Sequence, residues 1–491
     1  MYRKIRIALA MVSFMLLTLL FLDFSGSLHH WFGWLAKAQL LPAVLAGNFV
    51  VISVLLLLTL LLGRVYCSVI CPLGIMQDGI ARLKRKRRYS HSKALNWLRY
   101  AMLAVLLVAV LVGIRPLVAL LDPYSAYGRI AQSLLAPLWA WANNGLAYLA
   151  ERANSYAFYS VDVWLKGGIT LVVAVVTLLI VSVLAYRNGR TYCNTICPVG
   201  TVLGLISRFA ILRVRFDADR CGECGACAKA CKASCIDVKN KQIDHSRCVA
   251  CMNCLDSCHK QALRFGRGSN QPVAQTDSDA ANGMSRRQFM TAGAMLGLST
   301  ALHAQEKTVD GGLATIIDKQ APQRASHLVP PGAQGHRNMN TRCTACQLCV
   351  SVCPNQVLRP STDLQRLMQP EMSYERGYCR PECNRCASVC PAGAIRPTSL
   401  AQKSATQIGH AVWVRDNCVV LTDGVSCGNC ARHCPTGAIS MVHADANEAD
   451  SPLIPAVNTE RCIGCGACEN LCPARPFSAI YVEGHEMHRE I

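Results

Sequence analysis

Charged side chains are few in this chain. Asp, Glu, Lys and Arg supply 16% of its 491 residues, against about a quarter in an ordinary soluble domain. Acids are scarcer than bases, 30 against 50. Two common redox signatures are missing. No Cys-x-x-Cys-His run occurs, which leaves covalent c-type haem without an attachment site. No Gly-x-Gly-x-x-Gly follows a strand-like run, so a nicotinamide or flavin site of Rossmann type has no support. What the chain has instead is apolar and rich in sulfur: 52% hydrophobic residues and 29 cysteines. Its length suits about three domains. That cysteine density, without a short secreted length, points to metal rather than to a disulfide scaffold.

Six sets of four cysteines have the spacing that wraps a 4Fe-4S cubane. The first two are Cys221, Cys224, Cys227, Cys231 and Cys248, Cys251, Cys254, Cys258. By the crossed ligation of two-cluster ferredoxins, Cys258 is expected with the first three cysteines of its neighbour, and Cys231 with Cys248, Cys251 and Cys254. Lys232 and His259 stand where Pro usually follows the last cysteine. The other four sets all end in Cys-Pro: Cys343, Cys346, Cys349, Cys353; Cys379, Cys383, Cys386, Cys390; Cys418, Cys427, Cys430, Cys434; and Cys462, Cys465, Cys468, Cys472. Spacing does not say which of these share clusters. Short strands are expected after the runs, at Asn355–Leu358, Ala392–Ile395 and Thr436–Ile439. Cys235 is left over. A zinc site takes four ligands, commonly in pairs parted by a longer loop, and suits these runs poorly. The formal charge of +20 invites a nucleic-acid reading, but it counts cysteines as neutral. A cubane with four thiolates carries about −2, and six bring the total to roughly +8.

Four apolar stretches are expected to span a membrane: Ile5–Phe24, Pro42–Gly63, Leu98–Leu121 and Gly167–Tyr186. The loop Arg64–Arg99 is strongly basic, including Lys84-Arg85-Lys86-Arg87-Arg88. The positive-inside rule puts it, the N-terminus and the segment after Tyr186 in the cytoplasm. The fold class is therefore an α-helical membrane domain of four spans, or five, plus α+β ferredoxin-like iron-sulfur domains. The expected organisation is a membrane domain over 1–215, a cytoplasmic two-cluster ferredoxin domain over 216–268, and a linker over 269–284. A twin-arginine signal-like helix over 285–304, a second linker over 305–337 and a four-cluster domain over 338–491 follow. The signal-like segment opens Ser285-Arg286-Arg287-Gln288-Phe289-Met290. Such a signal is read by a receptor and would export the last domain to the periplasm. The apolar run behind it is either a tight fifth span or is cut near Ala304.

A repeat marks the membrane domain. Arg-x-Tyr-Cys-x3-Cys-Pro-x-Gly occurs at Arg64–Gly74 and again at Arg190–Gly200. It supplies Cys67, Cys71, Cys193 and Cys197 as possible additional redox or metal ligands. This doubled motif, with a two-cluster unit after it, resembles the membrane quinol-dehydrogenase subunits of the NapH type over residues 1–265. Residues 285–491 resemble their exported NapG/MauM-type ferredoxin partners, which suggests a fusion of two subunits. The membrane half is also similar to the NosR and FixG/CcoG groups. The departures are the single chain and the insert Asp122–Asp162.

The resemblance implies a bacterial inner-membrane electron-transport protein, a quinol dehydrogenase component. It would pass electrons from quinol through six 4Fe-4S clusters to a periplasmic reductase or cytochrome. The alternative is a metal-handling or assembly reductase for a respiratory metalloenzyme, as in the FixG/CcoG group, with the membrane dithiols as its working site. Quinol oxidation also releases protons, for which His29, His30, Asp122 and Tyr124 are the candidate acceptors. No nucleic-acid partner is expected.

Overall fold

The computed structural model describes residues 2–23, 26–83, 89–217, 219–267, 308–309, 314–315, 317–448 and 450–491. The signal-like helix, the linker before it, the proposed fifth span and the basic run 84–88 lie outside these residues.

Two of the four apolar stretches form unbroken helices, Tyr2–Leu22 and Gly168–Asn188, each 21 residues and so about 31 Å long. Both are long and apolar enough to cross a membrane. The other two stretches break. Pro42–Gly63 is interrupted at Gly47, which takes φ 70°, and Asn48 then caps the helix Phe49–Leu62 by accepting from the Val51 N–H. Leu98–Leu121 is interrupted at Gly113, φ 89°, between the helices Asn96–Val112 and Arg115–Leu121. A glycine in the left-handed region lets a helix end where its apolar pattern would carry on. Of the four expected spans, two are helices long enough to cross a membrane, and the other two stretches form shorter apolar helices of 14 and 17 residues.

The long helices run between two ferredoxin units. At the start of Tyr2–Leu22, Arg3 pairs with Asp256 at 3.0 Å and the Tyr2 ring lies 6.0 Å from that of Phe265. At its far end it packs on the short helix Leu348–Ser351. Gly168–Asn188 begins beside Pro360 and ends where the Arg190 N–H donates to the Lys232 carbonyl at 2.8 Å. One unit therefore caps each end of the helical domain.

The N-proximal unit is closed by strand Arg213–Phe216 antiparallel to Leu263–Gly266, around an inner hairpin of Ile236–Asp237 and Gln242–Ile243. It starts at Arg213, slightly before the expected boundary at 216. In the C-terminal unit, Leu358–Pro360 pairs with Pro370–Met372, and Ile439–His443 with Leu453–Val457. Thr406–Trp413 pairs with Ile480–Glu490. Strands thus follow the first and third cysteine runs. None forms at Ala392–Ile395 after the second, where Gly393 turns the chain at φ 63° toward Pro397.

Residues 317–337, expected as linker, are instead packed into the C-terminal unit. Lys319 Nζ donates to the carbonyls of Glu469, Asn470 and Cys472 at 2.7, 2.8 and 2.9 Å. Arg324 pairs with Glu469 at 2.5 Å. Leu328, Val329 and Ala333 are buried. Pro and Gly in this stretch shape a fitted strap rather than a free tether.

Candidate metal centres

The cysteines gather by crossed pairing at both ends of the molecule. In the N-proximal unit, Cys231, Cys248, Cys251 and Cys254 line one small cavity, and Cys227 lies within electrostatic reach of Cys221, Cys224 and Cys258. In the C-terminal unit, Cys390 joins Cys343, Cys346 and Cys349. Cys353 joins Cys379, Cys383 and Cys386 around a second cavity. Cys434 joins Cys462, Cys465 and Cys468 around a third, and Cys472 lies near Cys427 and Cys430. The first run is thus paired with the second and the third with the fourth, a choice that spacing left open. The halves meet where the Cys379 N–H donates to the Cys465 carbonyl at 2.9 Å. Tyr374 fills that seam, donating to the Gly464 carbonyl at 2.6 Å.

Each regular C-x2-C-x2-C loop takes a left-handed turn at the same two places: Glu223 and Gly225, Ala250 and Met252, Ala345 and Gln347, Gly464 and Gly466. Non-glycine residues hold such backbone only where the surroundings dictate it. The turns aim backbone N–H groups inward, as an anion-binding nest does. Sulfurs collect such donors. Ala345 N–H approaches Cys343 Sγ at 3.4 Å, Ile395 N–H approaches Cys390 Sγ at 3.4 Å, and Ala438 N–H approaches Cys434 Sγ at 3.3 Å.

These donor sets fit iron-sulfur clusters. Burial pushes the Cys346 and Cys465 thiols up to about 12, with neighbouring sulfurs adding to the rise. Bare thiolates would be costly here, and bound iron removes that cost. Among the described residues no three His, Cys, Asp or Glu stand close enough to share one metal ion. Cys235 sits at the same cavity as Cys231, their sulfurs 3.5 Å apart.

The membrane cysteines converge from the two repeats. Cys67, Cys71, Cys193 and Cys197 are all buried, none more than 5% exposed, and within electrostatic reach of one another. Pro72 and Pro198 start helices whose N-termini face Cys71 and Cys197, and Gly200 N–H donates to Cys197 Sγ at 3.4 Å. The guanidinium groups cross over. Arg64 donates to the Cys193 carbonyl at 3.0 Å and approaches Cys67 Sγ at 3.8 Å. Arg190 donates to the Cys67 carbonyl at 2.8 Å and approaches Cys193 Sγ at 3.7 Å. Beside the quartet, Asp78 pairs with Arg6 at 3.2 Å, Arg190 at 2.7 Å and Lys232 at 2.5 Å. Burial alone would raise the Asp78 carboxyl, but Arg190 and Lys232 hold it well below the usual carboxylate range. Lys232, which breaks the Cys-Pro pattern, thereby fastens the N-proximal unit to the helical domain.

The quartet has a ferredoxin unit on either side. Toward the N-proximal one, Arg64 donates to the Ser246 carbonyl at 3.1 Å and Asn194 to the Ala233 carbonyl at 3.2 Å. Toward the C-terminal one stand Asp122, Tyr124 and Arg129, all buried. Arg129 donates to the Ala119 carbonyl at 2.9 Å, while its Nε and second Nη have no partner among the described residues. Gly128 is pressed against the Cys346 carbonyl, where a Cβ would come within 2.4 Å. Of the proposed proton acceptors, Asp122 caps a helix by accepting from Ser125 N–H at 3.0 Å. Tyr124 is buried, its hydroxyl without a partner among the described residues. His29 lies 3.3 Å from Asp23, and His30 is exposed beside Trp31. The structure brings Asp122 and Tyr124 together and leaves the two histidines apart from them. Sequence reasoning overlooked Arg64, Arg190 and Asp78, although both arginines belong to the repeat.

The chain is similar to known iron-sulfur proteins. Residues 45–90 and 168–217 match a family described as a 4Fe-4S binding domain, and residues 342–394 and 424–475 one described as a 4Fe-4S dicluster domain. The first pair of matches contains the Cys-x3-Cys-Pro repeats. YccM of Escherichia coli is 28% identical over 239 residues, 46% of this chain and 60% of YccM. The methylamine utilization ferredoxin-type protein MauN of Paracoccus denitrificans is 29% identical over 40% of this chain and 56% of its own length. The ferredoxin-type protein NapH of Haemophilus influenzae is 25% identical over 43% and 66%. The chain thus spans a little over half to two thirds of these relatives. The resemblance to NapH-like ferredoxin-type proteins is found, with 4Fe-4S domains in both halves. No solved structure matches the chain.

Proposed function

We propose that the chain is a membrane-bound electron-transfer protein. It passes electrons from quinol, through multiple 4Fe-4S clusters, to a periplasmic acceptor such as a reductase or cytochrome. In this reading the N-terminus and the N-proximal unit face the cytoplasm and the C-terminal unit faces the periplasm. One observation carries it. Both helices long enough to cross a membrane have a ferredoxin unit at each end, and the four repeat cysteines are buried between those units.

The clusters, when bound, supply one-electron chemistry. The protein holds and insulates them. Cys221, Cys224, Cys227 and Cys258 form one ligand set, and Cys231, Cys248, Cys251 and Cys254 the other set of the N-proximal unit. The crossed sets of the C-terminal unit hold four more. Cys67, Cys71, Cys193 and Cys197 hold a further redox or metal centre that joins the two ends. Arg64 and Arg190 offset the negative charge of its sulfurs, and the helices starting at Pro72 and Pro198 add their positive ends. Delivery of a metal to another protein would need thiols that reach solvent. The burial of these four supports the relay over the assembly-factor alternative.

A redox titration of purified membranes by electron paramagnetic resonance, with menaquinol or ubiquinol as reductant, tests the reading. Quinol should reduce the clusters, and iron analysis should return at least about 24 iron atoms per chain for six cubanes. Clusters that dithionite reduces and quinol leaves oxidised would refute quinol as donor.

A further inference from the structure

A cavity of about 470 Å³ lies where the helical domain meets the C-terminal unit. Its floor is the end of the first long helix, Phe21 and Leu22, and the start of the second, Gly167 and Leu171. One wall is the insert Asp122–Asp162 and the residues after it; the other is the first dicluster half, including Cys353. Ligand sites of this size are mostly apolar with a few placed polar groups, and the lining has that character. Two of its N–H groups are conspicuous. Among the described residues, Trp164 Nε1 and Gln347 Nε2 are buried without a hydrogen-bond partner, and Gln347 is only 2% exposed. Buried donors are rarely left unpaired, since each costs roughly 1–3 kcal/mol. The Arg376 guanidinium stacks 4.7 Å from the Trp164 ring and fixes it in place. With the Gln132 amide turned so that both its groups are satisfied, Lys166 donates to its oxygen and its nitrogen donates to the Phe21 carbonyl at 3.1 Å. Trp139 and Tyr159 line the cavity and are also exposed, as is nearby Trp141, the aromatic pattern of a membrane interface.

We propose that this cavity binds the head group of a membrane quinol, with Trp164 and Gln347 donating to its oxygens and its tail leaving toward the lipid. The proposal rests on the reading of quinol as electron donor and adds where the quinol sits. It lies at the outer ends of both long helices, against a cysteine of the second ligand set of the C-terminal unit. Oxidation balances as follows. The quinol breaks two O–H bonds and becomes quinone. Its two electrons would leave one at a time: Cys353, Cys379, Cys383 and Cys386 would hold the 4Fe-4S cluster beside the cavity, which would supply the one-electron acceptor and be reoxidised by the outer partner. Its two protons pass to water by way of the exposed Asp162 carboxylate at the cavity wall.

The test uses full-length, cluster-loaded protein in phospholipid nanodiscs, with decylubiquinol as reductant and decylubiquinone as quencher of tryptophan fluorescence. Ser133→Trp places an indole in the cavity where the head group would sit and should abolish both quenching by quinone and reduction by quinol. Dithionite should still reduce the clusters, and the iron content should be unchanged. Trp164→Phe removes one N–H and should weaken quinone binding about tenfold, the worth of one buried hydrogen bond. Quinol reduction of wild type with no change in either variant would overturn the site and leave the donor reading standing. Failure of quinol to reduce wild type would instead sink the donor reading. Should Ser133→Trp lose iron, unchanged binding in Trp164→Phe alone overturns the site.

Discussion

The two Cys-x3-Cys-Pro repeats share a backbone and divide the electrostatics. In each, an arginine stands three residues before the first cysteine and a glycine three after the second. A Cβ on Gly74 would meet the Cys67 carbonyl at 2.3 Å and Arg190 at 2.6 Å; on Gly200 it would meet the Cys193 carbonyl at 2.3 Å and Arg64 at 2.8 Å. The repeats part seven residues after the second cysteine. The first has Asp78, which gathers Arg6, Arg190 and Lys232. The second has Gly204, whose bare backbone makes room for the Ser246 carbonyl and Arg99. Arg190 is therefore balanced by a carboxylate. Among the described residues, Arg64 meets neutral oxygens, those of Asn194, Ser246 and Cys193, and the sulfur of Cys67. Buried charges are expected to be paired. The difference gives the first repeat a charged contact with the N-proximal unit, through Asp78 and Lys232, and the second a neutral one, through Asn194 and Gly204, and it leaves Arg64 without a balancing carboxylate beside the sulfurs.

Breaking the carboxylate should cost most. Asp78→Ala strands three buried cations and should destabilise the protein by about 3–5 kcal/mol, read as earlier unfolding in a detergent-solubilised denaturant titration. The same residue sets an acid limit. Its folded pKa is depressed, so its stabilisation is complete above the unfolded value of about 3.9 and fades as pH falls below it. Wild-type stability should therefore drop below about pH 4, and Asp78→Asn should start lower and lack that component. Adding a Cβ at Gly74 or Gly200 is the next largest perturbation. Each alanine variant should lose about 1–3 kcal/mol by overpacking, and comparable unfolding midpoints would show that the repeats are equivalent there. Arg64→Met should change stability least and the sulfurs most. It should lower the reduction potential of any centre on the quartet, whereas Arg64→Lys should restore part of the shift. An unchanged potential in both would remove Arg64 from the charge balance.

Much of this was legible in the sequence because cluster ligands are local. Short cysteine runs name the loops, and the crossed grouping of Cys231 and Cys258 follows from the same spacing. The repeat announced four thiols. The pairing of the last four runs was not legible, because it depends on which loops pack together, and the insertion in the third run hides its register. The helix breaks were missed since hydropathy continues through Gly47 and Gly113. Lys232 read as a defect in a Cys-Pro pattern, and only tertiary contact with Asp78 gives it a task. Residues 317–337 read as linker because Pro and Gly dominate composition there, while the bonds of Lys319 and Arg324 reach some 150 residues ahead. The insert Asp122–Asp162 stood out as a departure, yet nothing linear says that it walls a cavity beside Cys353.

That strap has a bearing on how the protein could be processed. The Lys319 ammonium sits in a cradle of three carbonyl oxygens at the end of the fourth cysteine run. Scission of the chain anywhere upstream of it would leave the clasp whole. The distal ferredoxin body could then be severed from its amino-terminal half without unravelling, held in place afterwards by surface contact alone.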